Sequence, residues 1–363
     1  MLHRVFNRLW YRGHGSAWLL WPLSLLFGCL SRRRRNAYMN GEKSAYHCEL
    51  PVIVVGNISV GGTGKTPISI WLIEALQQRG LRPGLVSRGY GGKAPSYPYV
   101  VSVTDEASVT GDEPLMIHLR TGVPVVVDPD RASAARHLVH SGEVDVIISD
   151  DGLQHYGLSR TIELVVVDGE RGFGTGRLLP MGPLREPVSR LRAVDAVLVN
   201  GAPSHPSLRH LSALSNRTYP FTVQPGQWIP LNGESEAGVD TFFNSFTDAT
   251  VDEKALSGGK VIHGLAGIGN PQRFFDTLQQ LGIPHQPHSF PDHHDYTELD
   301  LEAFGAGLVL TTEKDAVKLR KFDRVRGAYL PINAHVDARL QPELIDVIMA
   351  RLEAFNQQHR HLY

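Results

Sequence analysis

One stretch constrains the chain more than any other: the apolar run Val52-Ile53-Val54-Val55 passing into Gly56-Asn57-Ile58-Ser59-Val60-Gly61-Gly62-Thr63-Gly64-Lys65-Thr66-Pro67. Four β-branched residues without alternation read as a strand buried on both faces. Gly61, Gly62 and Gly64 permit backbone dihedrals closed to other residues and let the N–H groups of a loop that includes Thr63 approach phosphate oxygens. A helix opening near Lys65 adds the partial positive charge of its N-terminus. In such a loop the lysine, here Lys65, reaches the β- and γ-phosphates, and the hydroxyl of Thr66 binds Mg²⁺. The spacing departs from GxxxxGK[ST] at one place, where Ser59 replaces the first glycine. The strand–loop–helix context points to a nucleotide-binding α/β fold all the same.

The rest of the chain has the pattern such a fold needs. Short apolar runs at 52–55, 85–87, 125–127, 144–149, 164–167 and 196–199 alternate with helical stretches. In the first of these, Ile68, Leu72, Ala75 and Leu76 recur at helical spacing before Gly80 and Pro83 stop it. Alternation of this kind predicts a P-loop NTPase-like, mostly parallel sheet with helices on both faces. Residues 218–258 are polar and weakly periodic and read as a connector. Beyond them, apolar runs near 261–262, 307–310 and 329–332 restart the pattern as a smaller C-terminal α/β domain. The expected organisation is an N-terminal segment at 1–41, a kinase core at 42–217, the connector at 218–258 and a second domain at 259–363.

The N-terminal segment is unlike the rest. Seven of the 36 basic residues fall in it (Arg4, Arg8, Arg12 and Arg32 to Arg35), leaving 29 against 37 acids in the remainder. A basic arm on an acidic body fits an anionic surface and argues against a general nucleic-acid binder. Between the arginines lie 16 uncharged residues, Gly15 to Leu30. As a helix they would reach about 24 Å, short of a hydrocarbon core about 30 Å thick. Pro22 is expected to interrupt the ladder. A helix lying in the interface fits better, with Trp10, Tyr11, Trp18 and Trp21 at headgroup level. A buried N-terminal helix is the competing reading; a cleaved signal is disfavoured by the four arginines that follow. The two cysteines, Cys29 and Cys48, offer no disulfide framework.

Acids and bases gather where strands end. The run 144–149 finishes in Asp150 and Asp151, the position of an acid that holds Mg²⁺ beside a phosphate loop, and Gly152-Leu153-Gln154-His155 adds polar groups to the same mouth. Arg88 and Arg131 follow two other strands. Asp112, in Gly111-Asp112-Glu113-Pro114, reads on its own as a helix cap. Glu186 is a loop carboxylate beside Arg185. Phe290-Pro291-Asp292-His293-His294-Asp295-Tyr296, with His285 and His288 nearby, permits a zinc reading, but no HExxH spacing or cysteine pair backs it. Val60 stands where cargo-moving ATPases often carry lysine, and Thr312-Glu313-Lys314-Asp315 has the wrong order for a guanine-reading motif.

In order, GNISVGGTGKTP, VSRGYGG, GDEP, DPDR, DDGLQH, GPLREP, HGLAGIGNPQRFF, FPDHHDY and TTEKDAVK resemble the motifs of the tetraacyldisaccharide 4′-kinase family of Gram-negative bacteria. The arm and residues 203–258 match poorly. The resemblance implies Mg-ATP-dependent phosphorylation of the 4′-hydroxyl of a tetraacylated glucosamine disaccharide 1-phosphate at the cytoplasmic face of the inner membrane, on an anionic lipid surface and with no obligate protein partner. It implies Asp112 as catalytic base and His293 as its partner across a cleft. Lys65 and Thr66 become ATP and Mg²⁺ contacts, Asp151 and Glu186 metal-proximal acids, and Arg88, Arg131, Asp150, Gln154 and His155 the polar lining. The rival reading is a membrane-tethered ATPase that moves or chaperones a partner.

Overall fold

A computed structural model of the chain describes residues 10–11, 15–231, 261–302, 304–305 and 307–359. Arg4, Arg8 and Arg12 of the basic arm, and 232–258 of the expected connector, lie outside the described residues.

The strands in chain order are β1 (Val52–Gly56), β2 (Pro83–Ser87), β3 (Tyr99–Val100), β4 (Val125–Val127), β5 (Val146–Asp150), β6 (Ile162–Asp168), β7 (Ala196–Asn200), β8 (Thr218–Pro225), β9 (Ile229–Pro230), β10 (Ile262–Ala266), β11 (Gln286–Ser289), β12 (Leu308–Thr312), β13 (Gly327–Leu330) and β14 (Ile332–Val336). They form a nine-stranded sheet in the order β14-β8-β7-β6-β1-β5-β2-β4-β3 and a five-stranded sheet in the order β11-β10-β12-β13-β9. Pairing from β8 to β4 is parallel, with antiparallel β14 and β3 at the two edges. The unbroken apolar runs follow from this: β1 buries Ile53 and Val55 on one face and Val52 and Val54 on the other. The first face packs the helices Lys65–Gln78, Asp112–Thr121 and Gln341–His359 through Ile68, Leu72, Leu115, Ile117, Leu344 and Ile348. The second packs the helix Arg131–Ser141 and the 3₁₀ segment Pro206–Arg217 through Ala134, Leu138, Leu208 and Leu211. Because the central strands are parallel, their carboxyl ends meet along one rim. There β1 delivers the glycine loop, β5 delivers Asp150 and Asp151, and β2 and β4 lead to Arg88 and Arg131.

The backbone pairing differs from the sequence expectation in two places. Residues 218–225 and 229–230, read as connector, are strands in the large and the small sheet respectively. Strand β14 and the helix Gln341–His359, read as part of the second domain, return to the edge and face of the large sheet. Strand and helix periodicity mark a buried face without saying which sheet it will meet.

The N-terminal segment forms a 3₁₀ turn, Gly15–Leu20, and then the helix Trp21–Met39. Pro22 does not interrupt it. It sits in the first turn, where its missing N–H has no intrahelical partner to lose. The apolar residues are not buried: Trp18, Leu19, Leu23, Leu25, Leu26 and Leu30 are all exposed, Leu19 at 83%. The helix is tied down at few points. Ser24 Oγ donates to the Leu178 carbonyl at 2.8 Å, Gly28 lies against Leu178, and the Tyr38 ring stands 6.2 Å from that of Tyr156. Among the described residues, no helix is long and apolar enough to cross a membrane.

Candidate active site

The glycine loop is shaped by its backbone. Gly61 and Gly64 have φ of 106° and 98°, which side chains disfavour, and a Cβ on Gly64 would stand 2.9 Å from Asn200 Nδ2. Three side chains brace the loop. Asn57 Nδ2 donates to the Gly61 carbonyl at 3.3 Å and to Thr63 Oγ1 at 3.4 Å. Asn200, at the end of β7, donates to the Thr63 carbonyl at 3.2 Å. Arg171, gripped by Asp168 at 2.9 Å, donates to the Gly62 carbonyl. Gly62 is exposed, and Lys65 and Thr66 open the helix behind it.

Opposite the loop, Asp150 is buried and receives a hydrogen bond from Ser69 Oγ at 3.3 Å. Burial, and then the neighbouring charges of Glu113 and Asp151, push its carboxyl up to about 7. Asp151 has a left-handed φ of 45°. It lies 3.6 Å from the Lys65 ammonium and 3.1 Å from Arg185. Burial would raise its carboxyl, but Lys65, Arg185 and Arg131 outweigh that and hold it below the usual range. The oxygens here, from the Thr66 hydroxyl and two carboxylates beside an anion-binding loop, are the donor set that Mg²⁺ takes. Surplus negative charge at Asp150 is what such a cation relieves. Among the described residues no three histidine, cysteine or acidic groups converge on a metal site. His288 pairs with His263, His285 lies beside the Ile283 carbonyl and His294 faces Asp300.

The other expected residues line the same rim. Arg131 is buried and donates through Nη2 to the backbone carbonyl of Asp150 at 2.8 Å. Among the described residues its Nε and Nη1 find no hydrogen-bond partner. Arg88 is exposed at the end of β2. Burial, followed by the charges of Arg131, Arg34 and Arg88, lowers His155 to about 3, so its ring is neutral at physiological pH. Gln154 Nε2 donates to the Asn57 carbonyl at 3.0 Å and to Glu186 Oε1 at 2.8 Å. Glu186, expected among the metal-proximal acids, is buried with both oxygens engaged. Besides Gln154 it accepts from the Tyr156 hydroxyl at 2.7 Å and pairs with Arg190 at 3.3 Å. In this arrangement Glu186 braces Gln154 through Oε1, and that oxygen keeps a second lone pair.

Asp112 and His293 come together although 181 residues separate them. Gly111, not Asp112, caps the helix Asp112–Thr121. At φ 87° it lies so close to the chain that a Cβ would stand 2.7 Å from the Tyr90 carbonyl. Asp112 is therefore the first helical residue, buried, with Oδ1 accepting from the Glu113 N–H at 3.0 Å. His293 Nδ1 lies 3.0 Å from both of its oxygens. Asp151 and His293, at φ 60°, are the non-glycine residues with positive φ among the described residues, and both stand at the rim. Burial acts to raise the Asp112 carboxyl, but the His293 hydrogen bond and the charges of Lys314, His293 and Lys318 hold it below the usual range. The same hydrogen bond raises His293 above its ordinary value against burial and Lys314. Sequence reasoning did not single out Asn57, Asn200, Arg171, Tyr156, Arg190 or Lys314 for the site. Asn57 and Lys314 stand inside recognised motifs, whereas the others carry no local signal.

A buried carboxylate held by a histidine, on the rim that also carries a phosphate-binding loop, suits a phosphotransferase, and the comparisons with known proteins agree. The sequence pattern of the family described as Tetraacyldisaccharide-1-P 4′-kinase matches residues 16–353. The tetraacyldisaccharide 4′-kinase of Aeromonas salmonicida is 48% identical over 350 residues, covering 96% of each chain. That of Pseudomonas aeruginosa is 46% identical over 345 residues, covering 95% of this chain and 96% of its own. Among solved structures, LpxK from Aquifex aeolicus, crystallised in complex with ATP, superposes with a TM-score of 0.70 at 26% identity, covering 93% of this chain and 99% of that one. With its nucleotide loop, acidic rim and nearly full-length match to enzymes of one activity, the chain belongs to the tetraacyldisaccharide-1-P 4′-kinase family.

Proposed function

We propose that the chain transfers the γ-phosphoryl group of ATP to the 4′-hydroxyl of a tetraacylated glucosamine disaccharide 1-phosphate lying in the cytoplasmic leaflet of the inner membrane. Asp112 accepts the proton of the attacking hydroxyl, and His293, bonded to both of its oxygens, fixes its orientation. Lys65 and the N–H groups of Gly61 to Gly64 neutralise charge on the transferring group. Thr66 and Asp151, with Asp150 beside them, would hold Mg²⁺, which would offset the charge of the nucleotide phosphates. Arg88 and Arg131 face anionic oxygens from the rim, and Glu186 keeps Gln154 in place.

The observation that carries the membrane half of this reading is where the exposed apolar helix is rooted. Its second half packs Tyr38 against Tyr156, directly behind Gln154 and His155, and the charge of Arg34 acts on His155. A lipid surface engaged by Trp18 to Leu30 would therefore lie beside the mouth of the site, where an acylated sugar presents its headgroup. Arg32 to Arg35 follow the apolar residues and suit anionic headgroups.

The deciding experiment incubates the protein with Mg-ATP and the acylated disaccharide 1-phosphate in mixed micelles and analyses the lipid by mass spectrometry. A new phosphomonoester on the distal sugar is the expected result. Release of inorganic phosphate with unmodified lipid would support the rival reading, a membrane-tethered ATPase.

A further inference from the structure

Lys314 is the second residue of the short helix Glu313–Leu319 that follows β12, and its side chain reaches the helix of Asp112 and the loop of His293. Its Nζ lies 3.1 Å from Glu113 Oε1, 3.2 Å from Asp292 Oδ1, 3.4 Å from His293 Nε2 and 3.8 Å from Asp112 Oδ2. An ammonium has three protons to donate and no lone pair with which to accept. Its contact with His293 therefore works only if Nε2 is unprotonated. A neutral imidazole carries one N–H, so that proton must sit on Nδ1, which is the nitrogen facing Asp112. The inference follows from which atoms face which.

We propose that Lys314 is a positioning residue for the transfer reaction: it holds His293 as the neutral Nδ1–H tautomer, so that Asp112 receives a hydrogen bond from an uncharged ring and remains free to take the proton of the sugar hydroxyl. This rests on the reading of Asp112 as base. The surroundings are consistent with it. His293 is faced by Asp112 from one helix, by Lys314 from another, by Asp292 of its own loop and by the Tyr90 ring, 5.0 Å between centroids; Glu113 pairs with Lys314, and Lys318 acts on Asp112. Asp112 favours the imidazolium and raises the ring above its ordinary value against burial and Lys314; Lys314 limits that rise. Were the ring charged, Asp112 would sit in an ion pair and be a poorer acceptor. Burial works against the charge on Lys314 itself, but Glu113, Asp112 and Asp292 overcome this and keep it protonated.

Nitrogen-15 spectra of histidine-labelled protein, with His293 assigned by its loss in His293→Gln, should show His293 in the Nδ1–H form when neutral. In Lys314→Met its titration midpoint should rise by about one pH unit or more, and the acid limb of kcat/KM should move to higher pH with it. Lys314→Arg, which keeps the charge, should leave that limb near its original place. An Nε2–H tautomer in the unmodified protein overturns the proposal. So do an unmoved His293 midpoint and acid limb in Lys314→Met when Asp112→Asn has lost turnover; that pattern removes Lys314 and leaves the base in place. Full turnover in Asp112→Asn would remove the base itself, and the function assigned to Lys314 with it.

Discussion

Replacing Arg120 with methionine should loosen the joint that brings Asp112 and His293 together. Arg120 lies on the same helix as Asp112. Its Nη1 donates to Glu313 Oε2 at 2.9 Å and to the Ile332 carbonyl at 3.0 Å, its Nη2 bonds Asn333, and Glu74 stands 3.7 Å away. The pair with Glu313 is largely buried, at 15% and 9% side-chain exposure. Removing one partner of a buried pair costs about 3–5 kcal/mol, because the other charge stays desolvated and unpaired. Glu313 can limit the loss by taking a proton: burial already raises its carboxyl, and Arg120 is the main opposing influence. With the folded value raised above the ordinary 4.5, the folded state holds the proton more tightly. The stability deficit of R120M should then be least below about pH 4.5 and grow as pH rises through that value toward the raised folded one. Arg120→Met/Glu313→Gln should recover much of the loss. Urea titrations of the wild type, Arg120→Met, Glu313→Gln and the double variant at several pH values measure this, read as midpoints because two packed sheets need not unfold together. A deficit equal at all pH values, or an R120M midpoint unchanged from wild type, would refute the reasoning. Turnover should fall with the midpoint, since Glu313 adjoins Lys314 and the helix of Arg120 begins at Asp112.

Lys65→Ala should lower kcat about 100-fold or more while leaving the thermal midpoint nearly unchanged, since the loss is of positive charge at the transferring group; near-normal turnover would remove the loop from the mechanism. Asp112→Ala should cut kcat by about 10²–10⁴-fold with little change in the KM for ATP, and a KM effect alone would make it a binding residue. Replacing Arg32 to Arg35 with serine should weaken flotation with anionic vesicles at low salt and make the residual binding insensitive to salt. Flotation equal to wild type at low salt would leave the apolar residues as the whole attachment.

The sequence by itself determined the elements whose cause is local. Glycines at 61, 62 and 64 behind four apolar β-branched residues specify a strand and a phosphate loop wherever they occur, because backbone freedom and burial period are properties of adjacent residues. Alternation of such strands with helices fixed a parallel sheet, and a parallel sheet fixed that acids and arginines at strand ends would share a rim. The motifs carried the family. The pairing of Asp112 with His293 was available from the resemblance, but on its own sequence Asp112 read as a helix cap. Only the tertiary structure decided what depends on distant partners. It gave the cap to Gly111, surrounded Glu186 with Gln154, Tyr156 and Arg190, set Asn200 and Arg171 beneath the loop, and brought Lys314 to His293. It also sent β14 and the last helix back to the first sheet and left Leu19 to Leu30 largely exposed on their helix. Residue type and spacing say that a side chain can donate, accept or be buried. Which atom it meets is fixed by contacts between segments far apart in the chain, and those contacts leave no period in the sequence.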